Sequence, residues 1–190
     1  SIYVKFGQIL AQRPDLIPER YTAELERLED NVPAFEWEKA KEIIKEDIGL
    51  NQFKNIEEEP LAAASIAQVH RATLENGDEV VIKVKRPGID EQVRKDLEIL
   101  KFFSKQAEKH SKVAKHSDAL KFVEEFSSWT QDELDLQREG LNAQIFKENL
   151  EDEENLYVPR VYPELNTERV LVMEYVEGVK CTETEKLKEM

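Results

Sequence analysis

The chain has 190 residues, of which 40% are hydrophobic and 36% charged, and its formal net charge is -14. This length suits one ordinary domain with a real core, and the negative charge excludes a general attraction to nucleic acid or to anionic lipid headgroups. A single cysteine, Cys181, and three histidines offer neither an internal disulfide nor a zinc-type spacing. We therefore expect no metal site within these residues and a reducing, intracellular compartment, most simply the cytoplasm.

A helical pattern occupies the beginning of the chain. Apolar residues recur at spacings of three and four over residues 2–10 and 18–29, which predicts two amphipathic helices. A third helix is predicted to begin near Trp37 and to end at Gly49, because glycine is common just past a helix C-terminus. Residues 1–50 are therefore expected to form a helical extension.

Strand-like alternation follows over residues 53–60, Ala67–Leu74 and Glu79–Lys85. The Asn76-Gly77 pair between the last two segments predicts a hairpin turn. Helical periodicity then returns over Ile89–His110, with acidic residues near the start as the helix dipole prefers.

Residues 118–149 are also mostly helical, with Ser117 as a plausible cap and with Ser127-Ser128 or Asp132 as points where the helix could break. Two further strands are predicted over residues 157–162 and 169–175, where β-branched and aromatic residues are frequent. The economical architecture is an α+β fold, a five-stranded antiparallel sheet with helices packed on one face.

One lysine lies inside a predicted strand. Alternation places Ile82 and Lys83 on opposite faces, so Ile82 can enter the core while the Lys83 ammonium faces a cleft. A positive charge on a rigid strand can hold phosphate oxygens. From this strand alone, a half-exposed lysine without a special role is the alternative. His70, His110 and His116 are expected at surface or satisfied core positions.

Four segments carry a more specific pattern, and they read Lys-Phe-Gly-Gln over residues 5–8, Leu-Ala-Ala-Ala-Ser-Ile-Ala-Gln-Val-His over 61–70, Glu-Leu-Asp over 133–135 and Val-Leu-Val-Met-Glu-Tyr-Val-Glu-Gly over 170–178. Each alone has a plainer explanation: a solvated surface helix, a close-packed helix start, solvated acids or a buried edge strand. Together and in this order they resemble the KxGQ motif, alanine-rich loop, ExD motif and kinase-like hinge of the UbiB family of atypical kinases.

The resemblance implies a protein-kinase-like N-lobe over residues 51–178, covered by the extension of residues 1–50. Residues 179–190 would begin the linker to a C-lobe, so both ends are expected to be cut from a longer protein. The implied cofactor is ATP, and Mg²⁺ is expected only with the C-lobe, because this chain has no catalytic-loop aspartate and no Asp-Phe-Gly segment. Alone, the chain is not expected to be a competent kinase or ATPase.

The resemblance also implies residue roles. Lys83 would contact the nucleotide phosphates and pair with Glu139, as the strand lysine and helix glutamate do in kinases. The phosphates would be covered by the alanine-rich loop through Ala62, Ala63, Ala64, Ser65, Ile66 and Ala67. The Cβ atoms of this loop should give the nucleotide a different pose from the one it takes under a glycine loop.

At the hinge, Met173 would take the gatekeeper position, and the backbone C=O of Glu174 and N–H of Val176 would meet the adenine edge. The residues expected to gate the cleft are Lys5, Gln8, Glu133 and Asp135. The family usually has alanine where this chain has Gly140, a departure that is expected to loosen the helix. Residues 85–88 also resemble the family and predict a turn with a basic edge.

The leading functional hypothesis is a nucleotide-binding lobe of an atypical kinase or ATPase linked to ubiquinone or another isoprenoid quinone. In the complete protein the resemblance implies contact with quinone-pathway or lipid-metabolising proteins and peripheral association with a membrane. The alternative from another class is a noncatalytic, pseudokinase-like module that binds such partners or a membrane. An acidic helical adaptor without a nucleotide site is a further alternative.

Overall fold

The structure, a computed structural model, describes residues 2–13, 21, 24–25, 32–110 and 118–179. The helix predicted over residues 18–29 falls mostly outside this part of the chain, although Tyr21, Glu24 and Leu25 are helical. No helix among the described residues is long and apolar enough to cross a membrane. Also outside the described residues are His116, Ser117 and Cys181.

Helices and strands follow one another nearly in the predicted order. The longer helices of the described residues are α1 Ile2–Ala11, α2 Trp37–Asp47, α3 Ile89–His110, α4 Ala119–Glu133 and α5 Leu136–Asn149. The strands are β1 Phe53–Ile56, β2 Ala62–Ala63, β3 Ala67–Leu74, β4 Glu79–Lys85 and β5 Val170–Glu174, and short 3-10 turns occur at Leu50–Gln52 and Pro163–Leu165. The predicted α+β class is confirmed.

The sheet is antiparallel in the order β1-β3-β4-β5, and β2 pairs with β3 beside β1. The predicted hairpin joins β3 to β4. Gly77 has φ of 97°, which an L residue with a side chain rarely adopts, and the N–H of Leu74 donates to the C=O of Asp78 at 2.9 Å to close the turn. Glycine also ends α2, because Gly49 has φ of 77° and donates to the C=O of Ile44.

Two predicted strands are wrong in extent. The first ends at Ile56, after which the chain leaves the edge of β3, and the free positions are taken by β2 from the alanine-rich segment. Residues 157–162 form no strand, and only Val161 makes an isolated bridge, to Met173. The count of five strands is right because β2, which was not predicted as a strand, takes the place of residues 157–162 in the count.

Helices cover both faces of the sheet rather than one. The main core lies between α2 and the face of β4 that carries Val80, Ile82 and Val84, all completely buried, and it also contains Ile44 of α2. The opposite face carries Leu171, which lies in a second apolar cluster with Leu136 of α5. This arrangement follows from strand alternation, since both faces of β4 and β5 carry side chains that pack.

A third apolar cluster joins α1, α3 and α4. It includes Ile2, Val93, Leu97 and Phe126, and the ring of Phe6 packs edge-on against Phe126 with 5.0 Å between ring centroids. The extension helix α1 is therefore fixed to the helices that follow the sheet.

The helical region after residue 118 breaks at Leu134 and Asp135, not at the serine pair or at Asp132. Asp135 has extended backbone angles, and its carboxylate accepts hydrogen bonds from the N–H groups of Gln137 and Arg138 at 3.0 and 3.2 Å. This is the geometry of an aspartate N-cap, which satisfies donors that have no partner within the helix. The cap fixes the start of α5 within the Glu-Leu-Asp motif.

Candidate nucleotide site

Lys83 and Glu139 form an ion pair between β4 and α5. The Lys83 Nζ donates to both carboxylate oxygens of Glu139 at 2.7 Å. The two side chains are 22% and 39% exposed, so a ligand can reach them although they are partly shielded from water. Charge-assisted hydrogen bonds of this kind are stronger than neutral ones and hold a lysine in one direction. The structure thus brings together two residues that the resemblance paired, and their role with nucleotide stays a prediction.

The alanine-rich segment folds as a short hairpin. Ala62 and Ala63 of β2 pair with β3, and the N–H of Ala64 donates to the C=O of Ala67 at 2.8 Å across the turn. Ser65 and Ile66 occupy the tip and are half-buried. Every residue predicted to cover the phosphates therefore lies in one hairpin.

The hairpin is aligned with the lysine. Ala62 pairs with Val69, and Val69 pairs with Lys83, so the three residues form one row across the sheet. Directly paired residues in an antiparallel sheet direct their side chains to the same face. The side chains of Ala62 and Lys83 are therefore on the same face of the sheet, which is the face covered by α5.

Arg86 fixes the tip of this hairpin. Its backbone N–H donates to the C=O of Ile66 at 2.8 Å, and its guanidinium donates to the C=O of Ala64 at 3.1 Å and of Pro33 at 3.0 Å. The guanidinium also lies over the ring of Phe35, 5.2 Å from its centroid. The hairpin is consequently held to the residue that follows β4 and to the segment before α2.

Two of the predicted gating residues contact each other. Lys5 of α1 forms a salt bridge with Glu133 at the end of α4, and the two side chains are 29% and 46% exposed. Gln8, one turn further along α1, is half-buried. Asp135 is not part of this pair, because its carboxylate caps α5. The Lys5–Glu133 ion pair thus joins the motifs at residues 5–8 and 133–135.

A cavity of about 270 Å³ lies where α1, the hairpin tip, α3 and α4 meet. Lys5, Ser65, Ile66 and Glu133 line it, so it brings two predicted gating residues next to two predicted covering residues. Lys83 is not among its lining residues. The cavity is therefore beside the Lys83–Glu139 pair rather than at it.

Met173, the predicted gatekeeper, is half-buried near the end of β5, where it pairs with Val81 of β4. Val176 lies two residues beyond β5 and is 45% exposed. It therefore lies in the exposed segment that follows the last strand, where the hinge is predicted. Contact of either residue with adenine stays a prediction.

The side chain of Glu174 holds the segment that lies beside β5. Its carboxylate accepts from the Tyr157 hydroxyl at 2.5 Å and from the Arg160 N–H at 2.9 Å. The hydrogen bond from Tyr157, followed by that from Arg160, lowers the pKa of Glu174 below its usual value. The carboxylate is thus occupied by Tyr157 and Arg160, whereas the hinge hypothesis assigns adenine to the backbone C=O of Glu174 and N–H of Val176.

His70 is a satisfied core residue, as predicted. It is completely buried, and its Nδ1 lies 2.8 Å from the C=O of Glu57 while its Nε2 lies 2.8 Å from the amide nitrogen of Gln68. Among the described residues, no group of three or more histidine, cysteine, aspartate or glutamate side chains is placed to hold a metal ion.

A five-stranded antiparallel sheet whose central-strand lysine pairs with a glutamate on a packed helix, and whose last strand runs into an exposed segment, defines a protein-kinase-like N-lobe. A family model described as the ABC1 atypical kinase-like domain matches residues 27–190, and the chain belongs to this family. The predicted UbiB-type recognition is confirmed.

Similar proteins agree with this assignment. The chain is 43% identical over 185 residues to the probable protein kinase UbiB of Pseudomonas putida F1. It is likewise 43% identical over 185 residues to that of Azotobacter vinelandii. Both alignments cover 96% of this chain and 34% of the relative, so the chain spans about a third of the length of these curated relatives.

A solved structure is also similar. It is that of Rv3197 from Mycobacterium tuberculosis in complex with erythromycin, with 29% identity and a TM-score of 0.63. The match covers 95% of this chain and 46% of that one. The likeness extends over the extension and the sheet together.

Sequence reasoning missed three features of the site. Lys85, expected at a basic turn edge, has a side chain only 4% exposed, and Arg86 clamps the hairpin tip rather than facing solvent freely. Gly140, expected to loosen α5, is buried where a Cβ would lie 2.5 Å from Asn166 Nδ2 and 3.0 Å from Leu171 Cδ1. Only Pro87-Gly88 behaves as the predicted turn, with φ of 72° at Gly88. Periodicity carries no signal for such contacts between distant elements.

Proposed function

We propose that this chain is the nucleotide-binding lobe of a UbiB-like atypical kinase or ATPase. The observation that carries the proposal is the two-pronged hydrogen bonding of Lys83 to Glu139 on the sheet face beside the alanine-rich hairpin. A lysine that a carboxylate already holds in one direction can bind phosphate oxygens without further ordering of its side chain.

The residues present fit a nucleoside triphosphate. Lys83 would bind its phosphate oxygens, Glu139 would orient the ammonium, and the hairpin of residues 62–67 would lie over the phosphates and restrict water. ATP would supply the phosphoryl group. Mg²⁺ would be held with residues of a C-lobe, since the described residues contain no metal-binding cluster.

The wider assignment rests on the relatives. Because the similar bacterial proteins are named probable protein kinase UbiB, we assign the complete protein to ubiquinone or other isoprenoid quinone biosynthesis, in the cytoplasm and at the periphery of a membrane. Quinone-pathway or lipid-metabolising proteins are the corresponding partners. The Lys5–Glu133 ion pair supports a gated cleft, because it ties the extension helix to the end of α4, which leads into the helix that carries Glu139.

The test is binding of MgATP to the full-length protein by isothermal titration calorimetry. Lys83→Met is expected to weaken affinity by about 10- to 100-fold, since a hydrogen bond to a charged group contributes roughly 1.5–3 kcal/mol. Glu139→Gln, which keeps the side-chain shape, should weaken it less. Lys54→Met is the matched control, because Lys54 is an exposed lysine on another strand of the same sheet.

Unchanged affinity in Lys83→Met, with a folded protein, would remove the basis of the nucleotide site. Equal losses in Lys83→Met and Lys54→Met would show a general charge effect and would also contradict it. A selective loss in Lys83→Met and Glu139→Gln supports the assignment.

A second candidate function is a noncatalytic module that binds a membrane or a lipid-metabolism partner. It is favoured by exposed aromatic rings on α3, where Phe102 and Phe103 are 58% and 63% exposed. Thermal melting with MgATP and, separately, with liposomes separates the two candidates. Stabilisation by liposomes alone would favour the module, and stabilisation by MgATP would favour the nucleotide site.

A further inference from the structure

The side chain of Lys85, at the end of β4, is only 4% exposed. An ammonium group has three N–H donors, and three oxygens surround this one: Asp90 Oδ1 at 3.0 Å, the C=O of Leu134 at 3.0 Å and Glu168 Oε1 at 3.4 Å. A lysine is rarely this buried unless its charge is paired and its donors are used. Lys85 is therefore a structural anchor and not a surface cation.

The three oxygens come from three separate elements, namely the first turn of α3, the α4–α5 junction and the segment before β5. Main-chain bonds tighten the same point: the N–H of Lys85 donates to the C=O of Arg169 at 2.8 Å, and the N–H of Leu136 donates to the C=O of Glu168 at 3.2 Å. The start of α5 is thus tied to the end of β4 directly by the Lys85 side chain and indirectly, through residues 168–169, by main-chain hydrogen bonds.

Lys83 and Lys85 are two residues apart on one strand, so their side chains leave the same face of β4. They contact the two ends of one segment, because Lys85 reaches Leu134 and Lys83 reaches Glu139. Leu134 and Asp135 precede the helix and residues 136–139 form its first turn, so the two lysines hold the two ends of one short segment.

We propose that Lys85 is a positioning residue that sets the α4–α5 junction, and through it Glu139, against Lys83. The path is short: Lys85 holds Leu134, the next residue Asp135 caps α5, and the N–H of Glu139 donates to the C=O of Asp135 at 3.2 Å. Its consequence for ligand binding rests on the proposed nucleotide function, whereas its consequence for the geometry of α5 does not.

The first arm of the test measures hydrogen–deuterium exchange in the full-length protein. Lys85→Met keeps the length of the side chain but leaves the buried Leu134 carbonyl without its ammonium partner. Exchange over residues 134–139 should become faster, while the β3–β4 turn at residues 75–78 should not change. Lys85→Arg, which keeps the charge, should restore part of the protection, and Lys54→Met is the control for loss of a strand lysine.

The second arm measures MgATP affinity in four proteins: unaltered, Lys85→Met, Lys83→Met and the double variant. Positioning through Lys83 predicts that Lys85→Met weakens binding about tenfold in the unaltered background and has little further effect once Lys83 is Met. A merely structural role would lower affinity by the same factor in both backgrounds.

Unchanged exchange over residues 134–139, or faster exchange throughout the lobe, overturns the proposal, as does an equal loss of affinity in both backgrounds. If Lys83→Met itself leaves affinity unchanged, the nucleotide function fails while the exchange arm still decides the role of Lys85. If Lys85→Met does not fold, Lys85→Gln replaces it, because its shorter, neutral side chain stays polar but removes the ammonium that donates to the Leu134 carbonyl. It should show the same localised rise in exchange, and its absence overturns the proposal.

Discussion

At the residue scale, His70 shows how the sequence segment after the alanine-rich turn fixes a protonation state. Gln68 Oε1 accepts from the N–H of Phe35 at 2.9 Å, so the amide nitrogen of Gln68 is directed to His70 Nε2. His70 Nε2 must then accept a hydrogen bond from the Gln68 amide, and His70 Nδ1 must donate one to the C=O of Glu57. The buried imidazole is therefore neutral, because a second proton on Nε2 would point at the N–H donor of the Gln68 amide.

This geometry predicts a dependence of stability on pH. Burial lowers the pKa of His70 below its usual value. The unfolded chain therefore binds a proton before the folded protein does as the pH falls through about 6.5, and folded stability is full above that value and declines below it. Between about pH 7.5 and about pH 5.5, the melting temperature should fall further in the unaltered protein than in His70→Gln.

His110→Gln is the control for this experiment, because His110 is exposed at the end of α3. It should retain the pH dependence of the unaltered protein. The same pH dependence in His70→Gln would show that another group is responsible.

Gly140 provides a second prediction at this scale. Alanine would favour helix formation by about 1 kcal/mol, but its Cβ would lie 2.5 Å from Asn166 Nδ2. Asn166 cannot move away freely, since its Oδ1 accepts from the N–H of Val172 at 2.9 Å. Gly140→Ala should therefore lower the melting temperature, whereas Gly178→Ala, with no neighbouring atom within 4 Å, should not. A rise for Gly140→Ala would mean that helix propensity outweighs the contact.

At the element scale, the start of α5 depends on its cap. Asp135 satisfies the N–H groups of two residues in the first turn, and Glu139 lies in that same turn. Asp135→Ala should lower stability by about 1 kcal/mol, and Asp135→Asn should retain most of the effect, because both asparagine and aspartate cap well. Urea denaturation measures the difference, and an equally large loss in both variants would assign the effect to charge instead.

The alanine-rich segment, expected as a loop over the phosphates, contains a short strand in the structure. A run of alanines favours a helix by propensity, yet residues 62–63 pair with β3 and complete the sheet. Arg86 holds the turn through the C=O groups of Ala64 and Ile66. Pairing and clamping by distant residues thus override local preference, as tertiary context commonly does.

At the scale of the whole molecule, α2 of the extension region packs into the core of the sheet. Ile44 is completely buried in one cluster with Ile82 of β4 and Val172 of β5. Ile44→Ala should therefore destabilise the lobe by about 2–5 kcal/mol, as large-to-small changes in a packed core do. The exposed neighbour Lys45→Ala should have little effect, and equal melting temperatures for the two variants would contradict this packing.

The sequence by itself determined the α+β class, the Asn-Gly turn, the helix end at Gly49 and the opposed faces of Ile82 and Lys83. Each of these depends on local backbone preference or on the two-residue strand period, which a single segment carries. The resemblance of the motifs then paired Lys83 with Glu139, which are 56 positions apart and which the structure places 2.7 Å apart.

Only the tertiary structure decided the burial of Lys85, the clamp formed by Arg86, the close contact at Gly140 and the break of the helix at Asp135. These features depend on which elements meet, because a lysine, an arginine or a glycine has the same local pattern whether its neighbour is water or a distant carbonyl group. Residues far apart in the chain supply the oxygens around the Lys85 ammonium, and no sequence period encodes their convergence.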